Sequence, residues 1–330
     1  MKLHENKDLF NQAIRATAQR MDILDIYIEK DYWVCYALKL IYSSAQKNDV
    51  IFKGGTALSK CFDIIERFSE DIDLVLLRTG DETGNQLKSK LKKVTKVLTK
   101  PFIEVDMEGI TNKMGMIRKV AYNYPKAFDG DFGQVRDHII VEASWLGHFE
   151  PYSTKQIASY IYEMMVATKQ EKLAEEYEMA HFDVIVLDVR RTLCEKIMSI
   201  VRFSHANDPI TDLNNKIRHL YDINKLLSIE KVKEFFLSNE FETMLLKVAK
   251  DDVFSFKSNN KWLELHPSEA LIFKEPDNVW KQLRGTYLNN FKNLIYGELP
   301  NEDSILKSIK EVANRLIDTK WNIKVNEEEA

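Results

Sequence analysis

Two kinds of hydrophobic spacing divide this chain. From about residue 5 to residue 44 apolar side chains recur at helical intervals, with Ile26, Trp33, Leu38 and Ile41 on one stripe, which predicts two helices with Trp33 in the core. Short apolar runs follow. Val50, Ile51 and Phe52 suit a buried strand, Gly54-Gly55 breaks it, and Thr56 is placed to cap the next helix. A second strand carries Asp71, Ile72, Asp73 and Leu74. Residues 79–84 read as a loop, and a helix with Leu87, Leu91, Val94 and Leu98 as its apolar stripe ends at Pro101. Further strands are predicted over 102–106, 114–124 and 138–145. Residues 152–180 read as connecting helical or irregular structure, and 182–187 as a short apolar segment. Beyond it the spacing is helical: Leu193, Ile197 and Ile200 form one buried stripe, a polar loop spans 204–209, and a helix resumes over 216–223. From residue 228 onward amphipathic helices are expected to break near Asp251-Asp252 and His266-Pro267. Trp280, Leu283, Tyr287 and Phe291 fall at helical spacing as a core stripe, and the acidic end at 326–329 is expected to fray. The pattern predicts an α/β (α+β) protein: residues 1–180 with a sheet and flanking helices, then residues 181–330 as a helical domain.

Composition narrows the class. The 330 residues are 45% hydrophobic and 30% charged, as in a water-soluble globular protein with a sizeable core. The net charge of −4 supplies no global field for nucleic acid, so any such contact must be local. One local source is the helix bearing Lys88, Lys90, Lys92, Lys93, Lys96 and Lys100, which is either a solvated face or a basic rim for RNA phosphates. Cys35, Cys61 and Cys194 are few, odd in number and far apart, which suggests reduced thiols. No apolar run reaches membrane-spanning length, and the polar start at Met1–Glu5 lacks a signal-peptide pattern, so the expected location is the cytoplasm, with no membrane partner.

The candidate chemistry lies between residues 50 and 77. In a strand, residues i and i+2 share a face, so Asp71 and Asp73 project together while Ile72 and Leu74 turn toward the core. Two carboxylates held together repel, and a divalent cation is a common resolution. A glycine turn leading into a helix offers backbone N–H groups to phosphate. Gly54-Gly55 is not a Walker loop, because no Gly-Lys-Ser/Thr ending follows, and it is not a dinucleotide fingerprint. Carboxylates plus a phosphate cradle point to phosphoryl or nucleotidyl transfer. Ser69, on the strand face of Asp71, either touches a phosphate or caps a turn. Glu142 sits centrally in an alternating strand and needs a partner, which is either a metal ion or a salt bridge.

In this order and spacing, Lys53-Gly54-Gly55-Thr56-Ala57-Leu58 and Arg67-Phe68-Ser69-Glu70-Asp71-Ile72-Asp73-Leu74 resemble the nucleotidyltransferase-fold toxins of the AbiEii/AbiGii family, which belong to type IV toxin–antitoxin and abortive-infection systems. Ile28-Glu29-Lys30-Asp31-Tyr32-Trp33 is similar to the segment that precedes the glycine turn in that family. Glu195-Lys196-Ile197-Met198-Ser199 with Arg202 resembles its third motif, with Ser199 where Ala is usual, and Tyr221-Asp222-Ile223 its fourth. Together these stretches cover roughly residues 28–225.

The resemblance implies a nucleotidyltransferase-like mixed sheet whose helical domain completes a nucleotide cleft. It implies Asp71, Asp73, Lys196 and Asp222 as catalytic residues, and Lys53, Gly54, Gly55, Thr56, Arg67, Ser69, Arg202 and Arg218 as nucleotide ligands. Asp71, Asp73 and Glu142 would hold Mg²⁺ or Mn²⁺. Without the family, Glu195-Lys196 reads as a solvated pair and Arg218 with Asp222 as an i, i+4 ion pair. The implied reaction moves a nucleoside monophosphate from a nucleoside triphosphate to an acceptor, tRNA in the first place, and an antitoxin is the implied partner. An antibiotic-modifying nucleotidyltransferase and a non-catalytic nucleotide-binding module fit the same residues.

Overall fold

The computed structural model describes residues 1–130, 135–256 and 259–325, and the acidic end at 326–329 lies outside them. Two compact units emerge, one of residues 1–145 and 152–187, the other of residues 146–151 and 188–330.

The first unit opens with α1 (Lys7–Met21), capped by the Asn6 side chain, and α2 (Asp25–Tyr42), whose Trp33 and Ile41 are fully buried. Then come β1 (Val50–Lys53), α3 (Gly54–Lys60), β2 (Ile72–Leu76) and α4 (Gly84–Lys96). Thr83 and Gln86 close a capping box at the start of α4. β3 (Ile103–Val105), β4 (Ile117–Asn123), β5 (Ile139–Ser144), β6 (Tyr152–Ile157), α5 (Tyr160–Ala167), α6 (Glu171–Glu176) and β7 (Phe182–Leu187) complete it. The seven strands form one mixed sheet in the order β3-β4-β5-β2-β1-β7-β6. β1 runs antiparallel to β2 and parallel to β7, and β2 runs parallel to β5. The central strands are apolar because both their faces are covered: Ile51, Phe52, Ile72, Leu74, Val141 and Val186 are buried.

The mixed α+β class holds, with three local corrections in this unit. Residues 152–157, expected to be helical or irregular, form the edge strand β6. Its residues are exposed apart from Ile157, so no hydrophobic alternation marks it. Asp71 and Ser69 precede β2 rather than lying within it. Thr56 does not cap α3. The helix begins at Gly54, and the Thr56 hydroxyl donates instead to the Asp71 carbonyl at 2.7 Å, with Ser69 Oγ 3.1 Å away.

The second unit is helical. It contains α7 (Val189–Ser204), α8 (Pro209–Asn215), α9 (Ile217–Leu227), α10 (Glu230–Leu237), α11 (Asn239–Ser255), α12 (Leu271–Lys274), α13 (Pro276–Gly285) and α14 (Glu302–Ile317). Trp280, Leu283, Tyr287 and Phe291 are buried, and Tyr287 stacks on Phe291, so this stripe is core. The expected break at Asp251-Asp252 is absent: α11 runs through both. Asp251 turns inward and takes a charge-assisted bond from the buried Arg191, with His148 Nδ1 2.6 Å away. The predicted break at His266-Pro267 falls between helices in short 3₁₀ turns.

Candidate active site

Sheet register assembles the carboxylates. Asp73 stands opposite Lys53 on β1 and opposite Glu142 on β5, so one strand position carries a cation on one side and an anion on the other. Asp71 lies two residues before Asp73, at the mouth of β2. Burial first, then the negative charges of Glu142 and Asp71, push the Asp73 carboxyl up to about 7. Glu142 is not alone: Lys119 faces it across the β4–β5 pair and donates to Oε2 at 2.8 Å. Glu142 therefore has a salt-bridge partner in the structure.

The glycine turn is built against these acids. Gly54 has φ +82°, a left-handed conformation costly for other residues, and a Cβ there would overlap the Asp73 carboxylate. A Cβ on Gly55 would come within 2.6 Å of Arg67 Nη2 and 2.9 Å of Ser69 Oγ. The two glycines therefore let the chain pass between Asp73 on one side and Arg67 with Ser69 on the other. Arg67 is buried, and its guanidinium donates to the Phe68 carbonyl at 3.1 Å. It supports the turn from beneath.

Three consecutive charged residues of α2 are buried, and each serves a different neighbour. Glu29 accepts the Ala127 and Phe128 N–H groups at 2.6 and 3.1 Å. Asp31 pairs with buried Lys60 at 2.5 Å and accepts the Tyr160 N–H, tying α2 to α3 and α5. Lys30 donates to the Arg136 carbonyl, and burial lowers its ammonium to about 8. Arg136 in turn reaches the site: its Nη1 is 3.4 Å from both oxygens of Asp71. Lys119 and Arg136 had no signal as site residues, because their roles arise from register and loop placement. Lys30 lies in the stretch Ile28–Trp33, which resembles the family segment before the glycine turn and is read from sequence as a packing helix around Trp33.

In the helical unit, Lys196 of α7 and Asp222 of α9 form a buried pair at 2.6 Å. Arg218 lies one turn before Asp222 on α9 and is half-buried. The Arg202 guanidinium stands over Phe256 at 4.0 Å and Phe203 at 4.6 Å, and burial lowers its pKa.

Residues 37–315 match the family described as nucleotidyl transferase AbiEii toxin, type IV TA system. The chain belongs to the AbiEii family. It is thus a nucleotidyltransferase toxin of a type IV toxin–antitoxin system, and membership implies a nucleoside triphosphate substrate and an antitoxin partner. No curated protein sequence matches the chain. Among the described residues, no helix is long and apolar enough to cross a membrane.

The donors of the AbiEii site suit a hard divalent cation. Asp71 and Asp73 present carboxylate oxygens, and the excess negative charge felt by Asp73 is of the kind such an ion relieves. Among the described residues no three acidic, His or Cys side chains converge into a closed cage. Magnesium seldom uses one, since it is commonly held by one or two carboxylates and substrate phosphates.

Proposed function

We propose that this AbiEii-family toxin transfers a nucleoside monophosphate from a nucleoside triphosphate to RNA, with tRNA as the acceptor, in a divalent-cation-dependent reaction at Asp71 and Asp73. The observation that carries the reading is the register that sets Asp73 between Lys53 and Glu142, with bare Gly54 against its carboxylate. Asp71 and Asp73 would hold Mg²⁺ or Mn²⁺, which when bound neutralises triphosphate charge and orients the reacting oxygen. Gly54 and Gly55 would let the phosphate tail approach the backbone free of side-chain bulk, Thr56 would complete the cradle with its hydroxyl tied to the Asp71 carbonyl, and Ser69 and Lys53 would edge it. Arg67 keeps the turn in place. The acceptor hydroxyl oxygen forms a bond to the α-phosphorus and releases its proton to the solvent, the bond from that phosphorus to the bridging oxygen breaks, and pyrophosphate leaves with the electron pair. In the helical unit we assign Lys196 to neutralising phosphate charge and Asp222 to holding and aiming that ammonium. Arg218 is assigned to the nucleotide with them.

Label transfer tests the reading. Purified protein is mixed with Mg²⁺, each α-labelled nucleoside triphosphate in turn and total bacterial tRNA. Labelled tRNA is expected, with loss of signal on chelation with EDTA and in the Asp71→Ala/Asp73→Ala variant. Expression of the native chain should slow bacterial growth, and that variant should not. Label on an aminoglycoside but not on tRNA would replace the acceptor, and triphosphate binding that ignores both Asp substitutions would remove the site.

A further inference from the structure

One cation at this site is neither buried nor firmly paired. Arg136 keeps 39% of its side chain exposed and Asp71 35%. The guanidinium offers Nη1 to both Asp71 oxygens at 3.4 Å, longer than an ordinary N–H···O bond and without the two-pronged fork that arginine makes with carboxylates when it binds them tightly. The backbone of the same residue is held at its carbonyl. Its N–H reaches Glu70 Oε1 at 3.4 Å, and its carbonyl accepts from Lys30, whose ammonium is fully buried. A pinned backbone with a loosely held, half-exposed guanidinium can exchange its partner without moving the chain. Two other cations nearby are committed differently: Arg67 is buried beneath Gly55, and Lys119 is bound to Glu142.

Resting on the site reading above, we propose that Arg136 is an exchanging counter-ion: it neutralises Asp71 when no divalent cation is bound, and transfers to the triphosphate of the incoming nucleotide once the cation takes Asp71. Arginine suits this exchange because its planar fork matches phosphate as well as carboxylate. The proposal gives one side chain two effects of opposite sign. It competes with the metal ion and cooperates with the nucleotide.

The test uses the full-length protein and measures two affinities by calorimetry. One is for Mn²⁺ alone. The other is for each α,β-methylene nucleoside triphosphate in turn, with saturating Mg²⁺. In Arg136→Ala, Mn²⁺ should bind about fivefold tighter, the scale of losing one partly exposed ion-pair partner. The nucleotide should bind about 10- to 100-fold more weakly, as expected for losing a hydrogen bond to a charged group. Arg136→Lys, which keeps the charge without the fork, should leave Mn²⁺ affinity near that of the native protein while losing part of the nucleotide affinity. A purely structural role would weaken both affinities together, and that result overturns the proposal, as does an unchanged Mn²⁺ affinity in Arg136→Ala. Asp71→Asn separates the levels. If it leaves Mn²⁺ binding intact, the site reading falls and this proposal with it. If it abolishes Mn²⁺ binding while Arg136→Ala binds Mn²⁺ like the native protein, the exchange alone falls.

Discussion

Gly54 shows how much of this site rests on a missing side chain. Its φ of +82° and its contact with the Asp73 carboxylate both exclude a Cβ. Gly54→Ala should therefore cost about 1–3 kcal/mol in urea unfolding and displace Asp73, so nucleotidyl transfer should fall more steeply than stability. Asp73 gives a second prediction, in pH. Its folded-state carboxyl titrates at about 7 against an ordinary 3.8, so between those values the folded protein binds more proton than the unfolded chain. Its contribution to stability is whole below the unfolded value and is lost as pH rises toward 7. Asp73→Asn removes the charge, so in metal-free buffer the variant should be more stable than the native protein by about 1–2 kcal/mol at pH 8, allowing for partial exposure, and no more stable at pH 4. Chemical denaturation at the two pH values decides it, and equal differences at both would show that Asp73 is not under charge strain.

At the scale of elements, ion pairs join the helices that carry the motifs. Asp31 and Lys60 link α2 to α3, and Lys196 and Asp222 link α7 to α9. A buried pair contributes little net stability over an apolar replacement, but removing one partner strands the other charge. Asp222→Leu alone should therefore destabilise the protein by about 3–5 kcal/mol, and Lys196→Met/Asp222→Leu should regain most of that loss while remaining inactive. Thermal denaturation of the two variants, with label transfer alongside, tests this. A double variant as unstable as the single one would mean that the pair itself holds the helices. Elements also set the limits of sequence reading. The alternation in β5 was legible because its apolar face is buried, whereas β6 pairs with β7 through its backbone while its polar side chains stay in water. The apparent break at Asp251-Asp252 was a helix, because Arg191 and His148 supply the polar partners that water supplies elsewhere.

For the whole molecule, a net charge of −4 means that attraction to RNA must be local. On α4 the lysines 88, 92 and 96 are exposed at successive turns, while Lys90 is paired with Glu82 at 2.6 Å. If RNA is the acceptor, Lys88→Glu/Lys92→Glu/Lys96→Glu should weaken tRNA binding and flatten its salt dependence by about 0.7–0.9 log units per lost phosphate contact. Nucleoside triphosphate affinity should stay unchanged. Filter binding across a salt series measures the slope, and an unaltered slope would make α4 an ordinary solvated face.

By itself the sequence determined what is local: the two-residue spacing of Asp71 and Asp73, the glycine turn before them, the helical stripes and the order of motifs that carries the family resemblance. Those features follow from backbone periodicity and from the few residues that tolerate a left-handed turn. Tertiary structure alone decided the partners. Glu142 lies beside Asp73, yet its oxygen goes to Lys119 of β4. Arg202 stacks on aromatic rings while Lys196 finds Asp222, and Arg136 arrives at Asp71 from a loop 65 residues away. A charged side chain shows in sequence only that it needs a counter-charge; which one it meets depends on strand register and packing between distant segments.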